Sequence, residues 1–295
     1  MVKSTREKAL VSIAFMAPAL FLFCVLFIYP IISGFAYSFT NWDGLETNPR
    51  FVGFKNYLDF FHEQNALDAL RRTLLSTVII VLVQNGIALL VAAILDGNIR
   101  GAGFFKTVYY FPAILSSVIV GYLWTFILDP LNGLLAGIQI SLGGPSLAVN
   151  FLGDPRLALY AVCGVLIWQY FGYSMVIYLS GLQTVPVEHV EAADMDGASA
   201  WQKFWRIKFP LIAPAFTINM VISVIGALKV FDHIYVLTKG GPGRATETLT
   251  FLIYREAFGA NRMGYGSAVS IILLVMIMIL ATIEMKLLQK RELEG

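Results

Sequence analysis

The sequence EAADMDGASAWQKFWRIKFP at residues 191–210 places acidic and then basic side chains between two long apolar stretches. The preceding stretch, residues 157–187, contains no Asp, Glu, Lys or Arg. A helix that only anchors a protein in a membrane has no need of such a polar segment. The segment therefore indicates a function at the membrane surface, and the rest of the chain can be read outward from it.

The first half of this segment has the signals of a short helix. Pro186 closes the apolar stretch and suits the first turn of a new helix. Glu188 and Glu191 lie in or near that turn, where acids complement the helix dipole. Gly197 is expected to end the helix, because glycine readily takes the left-handed conformation found at helix stops.

The second half predicts another short helix. Ser199 and Gln202 have the spacing of a capping box, which starts a helix by reciprocal hydrogen bonds. The residues that follow combine aromatic and basic side chains, namely Trp201, Phe204 and Trp205 beside Lys203 and Arg206. Together the two halves predict a helix–turn–helix elbow at the membrane surface, suited to docking a partner protein.

Composition identifies an integral membrane protein. The 295 residues are 58% hydrophobic and 14% charged, with a mean hydropathy of +0.73, far from an ordinary soluble domain. A net charge of +2, with no basic tract longer than Arg71-Arg72, argues against nucleic-acid binding. Cys24 and Cys163 fall within apolar stretches and are expected to pack as small hydrophobic residues, not as a disulfide or metal ligands.

Six long apolar stretches predict an all-α protein with six membrane-spanning helices, since about 20 residues cross the hydrocarbon core. We expect the first to be a retained helix and not a cleaved secretory signal. The stretch at 130–153 is rich in Gly, Pro and Asn, so it is predicted to be an extramembrane loop with a short interfacial helix. The predicted spans are residues 9–38, 73–95, 107–128, 157–182, 209–236 and 263–288.

Polar side chains inside these spans are costly in lipid and should face protein or water. Asn219 and Ser223 share one face of the fifth span, and Gln169 and Tyr173 form a similar pair on the fourth. Amides and aromatic rings suit sugars, which combine apolar C–H faces with hydroxyl groups. These four residues are a candidate substrate pathway, and the alternative is that they make ordinary helix–helix contacts.

Three polar residues lie near the outer end of the fifth span. Lys229, Asp232 and His233 can meet at helical spacing, which favours a structural ion pair between Lys229 and Asp232 over a gate. The glycine-rich run at 239–244 lacks the Gly-Lys-Ser/Thr ending of a phosphate loop and predicts a turn. No residues are grouped as a metal site or as a nucleophile with its base, so no catalytic site is predicted.

The elbow resembles the EAA loop of ABC-importer permease subunits. The match comprises Glu191, Ala192, Ala193, Gly197, Ile207 and Pro210, while Phe209 stands where the family usually has Leu. Further short motifs resemble the carbohydrate-type permeases of the MalF/UgpA kind, and they cover nearly the whole chain. They are GFKNY at 53–57, RTL at 72–74, the stretch 112–124, GLQ at 181–183, DGA at 196–198, KVFD at 229–232 and TKGGP at 238–242.

This resemblance implies a type I ABC-importer (MetI-like) permease fold. Residues 1–295 would form a single transmembrane permease domain, and residues 184–210 the cytoplasmic EAA coupling loop. Lys and Arg are divided almost evenly between the two sides, so charge does not orient the chain. The resemblance places both termini in the cytoplasm of a bacterial cell, with the chain in the inner membrane.

The resemblance also implies partners. They are a second homologous permease, two ATPase subunits that use ATP and Mg, and an extracytoplasmic solute-binding protein that delivers a sugar, oligosaccharide, polyol or glycerol phosphate. The chain itself would be no enzyme and would bind no cofactor. Glu191 is expected at the ATPase interface with the other EAA-loop residues, Asp196 included, although an acid there could also serve the helix dipole alone.

Two other functions fit the sequence less well. An ion-coupled secondary transporter acting without an ATPase would need a buried acid, and the predicted spans offer only Asp232 near one end. A membrane-embedded enzyme would need a convergent nucleophile or metal set, which the sequence lacks.

Overall fold

The computed structural model describes residues 5–97, 99–143 and 149–293, and the described residues are overwhelmingly helical. Their extended pairing is limited to an isolated bridge between Thr40 and Phe51. Three π-helical segments, Cys24–Ile28, Phe204–Lys208 and Arg255–Gly259, interrupt the helices. The α-helices are α1 Thr5–Phe23, α2 Tyr29–Tyr37, α3 Lys55–His62, α4 Gln64–Leu95, α5 Ala102–Ile114, α6 Ser117–Ile127, α7 Leu134–Ser141, α8 Ala158–Leu182, α9 Val187–Met195, α10 Ala200–Lys203, α11 Phe209–Leu211, α12 Ala213–Leu228, α13 Asp232–Leu237, α14 Leu249–Tyr254 and α15 Met263–Leu293.

Four described helices are long and apolar enough to cross a membrane unaided. Two bent pairs, α5 with α6 and the elbow segment with α12, bring the number to six if each pair is one span. The all-helical architecture predicted from composition is therefore confirmed. The four long spans are Phe15–Tyr37, Gln64–Leu95, Ala158–Leu182 and Met263–Gln289.

The span predicted at 107–128 is not one straight helix. The chain turns by 99° between α5 and α6. Pro112 lies in the last turn of α5, and Leu115 is extended with φ −70° and ψ 144°. Ser116 then caps α6 by accepting a hydrogen bond from the Val118 amide at 3.3 Å. Proline and a new N-cap thus replace a continuous helix.

The span predicted at 209–236 is also divided. The helix α12 ends at Leu228, and α13 begins at Asp232. The Val230 carbonyl between them accepts hydrogen bonds from the hydroxyls of Thr248 and Thr250. These side chains satisfy a backbone group that a continuous helix would have used. In the predicted loop at 130–153, α7 is the short helix, while residues 144–148 lie outside the described part of the chain.

The chain divides into two compact units, of which the first comprises residues 1–64 and 252–274. Within it, the Arg262 guanidinium binds Glu63 at 3.2 Å and Glu256 at 3.1 Å, and the Tyr265 hydroxyl donates to Glu63 at 3.0 Å. Burial opposes the charge of Arg262, but the two carboxylates raise the pKa of the guanidinium above its usual value. The Arg262 guanidinium therefore keeps its positive charge within the cluster.

The second unit comprises residues 65–251 and 275–295, and its centre is α8. Buried apolar residues of α8 pack against α4, α6 and α13, for example Leu166 with Ile80, Val120 and Ile234 in one cluster. At Gly172 the backbone of α8 meets the backbone of α5, since an added Cβ would lie 1.8 Å from the Tyr109 carbonyl oxygen. Small residues allow such close approach between membrane helices.

Replacing Gly172 with Ala should therefore disrupt the α5–α8 contact, because backbone atoms cannot move aside as flexible side chains do. We expect a destabilisation of at least about 1–3 kcal/mol, typical of overpacked cores. Thermal unfolding monitored by size-exclusion chromatography in detergent measures the effect. Gly164→Ala on the same helix is the matched control, because an added Cβ there meets nothing within 4 Å. Equal thermal stability of the two variants would contradict the proposed packing.

Candidate coupling elbow and transport cavity

The first arm of the elbow is α9, which follows an extended Pro186 with φ −60° and ψ 132°. Of its side chains only Ala193 is buried, with 8% of its surface exposed. Glu191 and Ala192 are exposed, as is Asp196 at the helix end. Gly197 has a φ of +73°, the left-handed conformation predicted from the sequence. The arm thus rests on one small residue and leaves its acids open to solvent.

The second arm begins with the predicted capping box, which the structure confirms. The Ser199 Oγ accepts from the Gln202 amide at 3.3 Å, and the Gln202 Oε1 accepts from the Ser199 amide at 2.8 Å. The arm continues through α10, the π segment and α11, then bends by 73° into α12. Ile207 is partly buried in the π segment, and Pro210 lies in the first turn of α11.

Two ion pairs fix the elbow. Lys203 Nζ lies 2.5 Å from Asp194 Oδ1 and so joins the second arm to the first. Lys208 Nζ lies 2.6 Å from Asp96 Oδ2, immediately after the end of α4. Because the Asp96 and Lys208 side chains are mostly buried, this second pair is less screened than an open surface pair. The elbow is braced internally and tied to a membrane helix.

The outer face of the elbow has the composition of a docking surface. The Glu191 carboxylate makes no hydrogen bond or ion pair to any described residue. Met195 is 89% exposed and Trp201 is 70% exposed. Met and Trp are enriched where proteins meet, and an unpaired carboxylate is available for a basic group of a partner.

A row of aromatic rings leads from this surface into the helix bundle. Ring centroids are 5.5 Å apart between Trp201 and Trp205 and 4.9 Å between Trp205 and Phe209. Phe209 then meets Phe216 of α12 at 5.4 Å, and Phe216 stacks on Tyr178 of α8 at 5.9 Å. The elbow therefore contacts α12 through Phe216, and Phe216 in turn contacts α8.

The second unit also contains a partly open cavity of about 480 Å³. Its walls come from α4, α5, α6, α8 and α12 and from the segment at 229–233. Many of its lining residues carry an aromatic ring or a hydroxyl group. The polar and aromatic lining residues are Gln84, Tyr110, Ser117, Tyr170, Tyr173, Ser174, Ser223, Lys229, Phe231, Asp232 and His233.

The four residues predicted as a pathway divide into two pairs. Tyr173 and Ser223 line the cavity. Gln169 and Asn219 are fully buried and do not line it. Gln169 donates to the Leu115 carbonyl at 3.0 Å and contacts His233 Nε2 at 2.6 Å through its Oε1 atom. For this pair, the structure has the helix–helix contacts of the alternative interpretation.

Lys229 and Asp232 both line the cavity, but among the ion pairs of the described residues none joins them. The expected pair assumed a continuous helix, whereas α12 ends before Lys229 and a new helix begins at Asp232. His233 turns inward to Gln169 instead. The two charges therefore face the cavity separately.

Several important polar residues were not recognised from the sequence. Gln84 and Asn85 are two adjacent amides in the apolar helix α4, and this adjacency was the available signal. Gln84 Nε2 donates to Ser174 Oγ at 2.9 Å. The assignment of Asp232 as the sole acid of the spans was too narrow, since α15 continues through Glu284. One buried Glu284 oxygen has no hydrogen-bond partner among the described residues.

Removing the tether between elbow and α4 should loosen the elbow. We expect Asp96→Asn to increase hydrogen–deuterium exchange across residues 187–211, because the neutral amide cannot replace the ion pair with Lys208. Mass spectrometry of the purified protein measures this exchange. The exchanged pair Asp96→Lys with Lys208→Asp should restore protection, and Arg71→Gln at an exposed pair is a control. Unchanged exchange in Asp96→Asn would show that the pair does not hold the elbow.

Comparison with known proteins agrees with this architecture. The probable ABC transporter permease protein PH1215 of Pyrococcus horikoshii is 36% identical to this chain. The match covers 90% of this chain and 91% of PH1215. The probable starch degradation products transport system permease protein AmyD of Thermoanaerobacterium thermosulfurigenes is 33% identical, covering 95% of this chain and 94% of its own. A chain of a bacterial alginate ABC transporter, solved with an alginate-bound periplasmic protein, shares the fold with a TM-score of 0.83 at 22% identity, covering 94% and 93% of the two chains.

The family match includes Gln84 and Asn85 of α4, every cavity-lining residue except Ile80, and the whole elbow. It covers residues 84–293, so that α1 to α3 and the first part of α4 precede the matched region. The chain belongs to the family of binding-protein-dependent transport system inner membrane components.

Proposed function

We propose that this chain is one of two homologous permease subunits of a type I ABC importer. The observation that carries the proposal is the elbow, with its unpaired Glu191 and exposed Met195 and Trp201, packed by aromatic rings onto the helices of the cavity. A protein that transported solutes unaided would have no use for this surface. An ATPase subunit docks on it, and the two ATPase subunits of the importer hydrolyse ATP with Mg, while this chain is no enzyme and binds no cofactor.

In this mechanism the elbow moves as one body when the ATPases close. The capping box and the Lys203–Asp194 pair resist bending within it. Its motion reaches α4 through Lys208 and Asp96, and reaches α12 through the bend at Ile212. Residues of both α4 and α12 line the cavity. A shift of the elbow therefore reorients these helices and opens the cavity alternately to the two sides of the membrane.

The substrate class proposed is a sugar, an oligosaccharide or a related polyol or glycerol phosphate. Tyr110, Tyr170 and Tyr173 offer ring faces to C–H groups, and Ser117, Ser174 and Ser223 offer hydroxyls to hydroxyls. Lys229 and Asp232 leave the lining without net charge. Two similar proteins are named for the transport of starch degradation products and of alginate, and these names support this class. An extracytoplasmic binding protein delivers the solute.

The proposed location is the inner membrane of a bacterial cell, with the elbow at residues 184–210 facing the cytoplasm. The elbow follows the fourth of six spans, so both termini lie on the same side as the elbow. Residues 1–295 act as one transmembrane permease domain. An ion-coupled transporter acting without an ATPase is less well supported, because the elbow would then have no partner.

Replacing Glu191 with Lys should weaken attachment of the ATPase and abolish ATP-dependent uptake, while membrane insertion stays intact. A reversed charge repels the basic group that the proposed interface supplies. Co-purification of the ATPase and uptake into reconstituted vesicles measure the two effects. Glu188→Lys is the matched control, since Glu188 is also exposed on α9 but lies outside the motif.

Normal ATP-dependent uptake by Glu191→Lys would overturn the proposed role of the elbow. Purification of the intact complex, with mass spectrometry of its subunits and of the solute held by the binding protein, tests the partners and the substrate class. Recovery of the chain with no ATPase would contradict the proposal as a whole.

A further inference from the structure

Three buried side chains from three helices meet beside the cavity and are here called the amide hub. They are Asn85 of α4, Tyr178 of α8 and Asn219 of α12, all with 4% or less of their surface exposed. The Tyr178 hydroxyl donates to Asn85 Oδ1 at 2.6 Å, and Asn219 Nδ2 donates to the same oxygen at 2.9 Å. One acceptor atom thus holds three helices together.

Each member of the hub lies next to a residue of the cavity wall. Asn85 follows Gln84, while Ser174 and Ser223 lie one helical turn from Tyr178 and Asn219 on the same faces. Gln84 and Ser174 are themselves hydrogen-bonded at 2.9 Å. A rearrangement of the hydrogen bonds in the hub is therefore expected to shift Gln84, Ser174 and Ser223 in the cavity wall.

The same hub is in contact with the elbow. The Tyr178 ring stacks on Phe216 with an interplanar angle of 24°, and Phe216 packs against Phe209 of the elbow. Close-packed rings transmit displacement because few voids are left to absorb it. Elbow, ring contacts, hub and cavity wall form one contiguous series of packed and hydrogen-bonded side chains, which is a structure that can carry coupling between separated sites.

The hub also has an unused acceptor. Asn219 Oδ1 is buried and has no hydrogen-bond partner among the described residues. An orphaned buried acceptor calls for a physical explanation. If the elbow displaces Phe216, the Tyr178 hydroxyl can pass from Asn85 to this oxygen, so that both arrangements use the same donor.

We propose that Tyr178 is a positioning residue whose hydroxyl transmits movement of the elbow to the cavity by selecting between Asn85 and Asn219 as its acceptor. The proposal rests on the proposed function, in which ATPase closure moves the elbow. It goes beyond that function by assigning the coupling to one hydrogen bond.

The test follows access to the cavity in the complete complex, reconstituted with its partner subunits. Gly226 lines the cavity, and an added Cβ there meets nothing within 4 Å. A reporter Gly226→Cys is placed in a background with Cys24→Ser and Cys163→Ala. The rate of its modification by a sulfonate-bearing methanethiosulfonate reagent is measured with and without ATP plus vanadate. In this parent we expect the nucleotide to change the rate by at least about fivefold.

Tyr178→Phe keeps the ring and removes only the hydroxyl, and it should reduce the nucleotide effect to less than about twofold. Phe216→Leu interrupts the same series one contact earlier and should cause the same loss. The double variant should lose no more than either single variant, because both act on one series. A structural role alone would lower stability without removing the nucleotide response.

Tyr57→Phe is the matched control, because it also removes a hydroxyl hydrogen bond, to Ser38 Oγ at 2.7 Å, outside this series. It should keep the full response. A full response in Tyr178→Phe would overturn the proposed relay and leave the elbow's function standing. A parent complex without any nucleotide response would instead refute the proposed function. If Tyr178→Phe does not assemble, a full nucleotide response in Phe216→Leu also overturns the proposed relay, because the series from the elbow to Tyr178 passes through that ring.

Discussion

Polar groups that this chain places within the membrane must find partners inside the protein, because the hydrocarbon core offers none. This constraint explains why α4, α8 and α12 share a cluster of amide and hydroxyl groups. Asn85 Oδ1 serves two donors from two other helices, and Gln84 pairs with Ser174. The cluster fixes the relative position of the helices that enclose the cavity. It also makes the cavity wall sensitive to any movement of those helices.

The elbow follows from the opposite condition. Its charged side chains cannot enter the lipid, so it lies at a surface and is held there by ion pairs, a capping box and stacked rings. The same rings enter the bundle and end at Tyr178. A polar surface for a partner and a polar cavity are thereby joined through apolar contacts. This arrangement suits a subunit whose energy is supplied by another chain.

Much of this architecture could be predicted from the sequence because its signals are local. The capping box of Ser199 and the left-handed Gly197 depend on neighbouring residues alone, and both are present. Apolar stretches indicated the number of spans for the same reason. The break near Val230 could not be foreseen, because it depends on hydroxyls of Thr248 and Thr250 almost twenty residues away.

Of the four residues predicted as a substrate pathway, Tyr173 and Ser223 line the cavity and Gln169 and Asn219 do not. Helical periodicity places Gln169 with Tyr173 and Asn219 with Ser223, but it does not decide which member faces the cavity. Tertiary packing turned Gln169 toward His233 and Asn219 toward Asn85. The expected pair of Lys229 and Asp232 likewise assumed a helix that the structure interrupts.

The proposed role of the elbow is to dock an ATPase. Site-specific photo-crosslinking tests it most directly, with a benzophenone amino acid at position 195, where the Met side chain is 89% exposed. In membranes containing the whole complex, we expect a crosslink between position 195 and the ATPase subunit. A crosslink to the solute-binding protein, or to lipid alone, would contradict it.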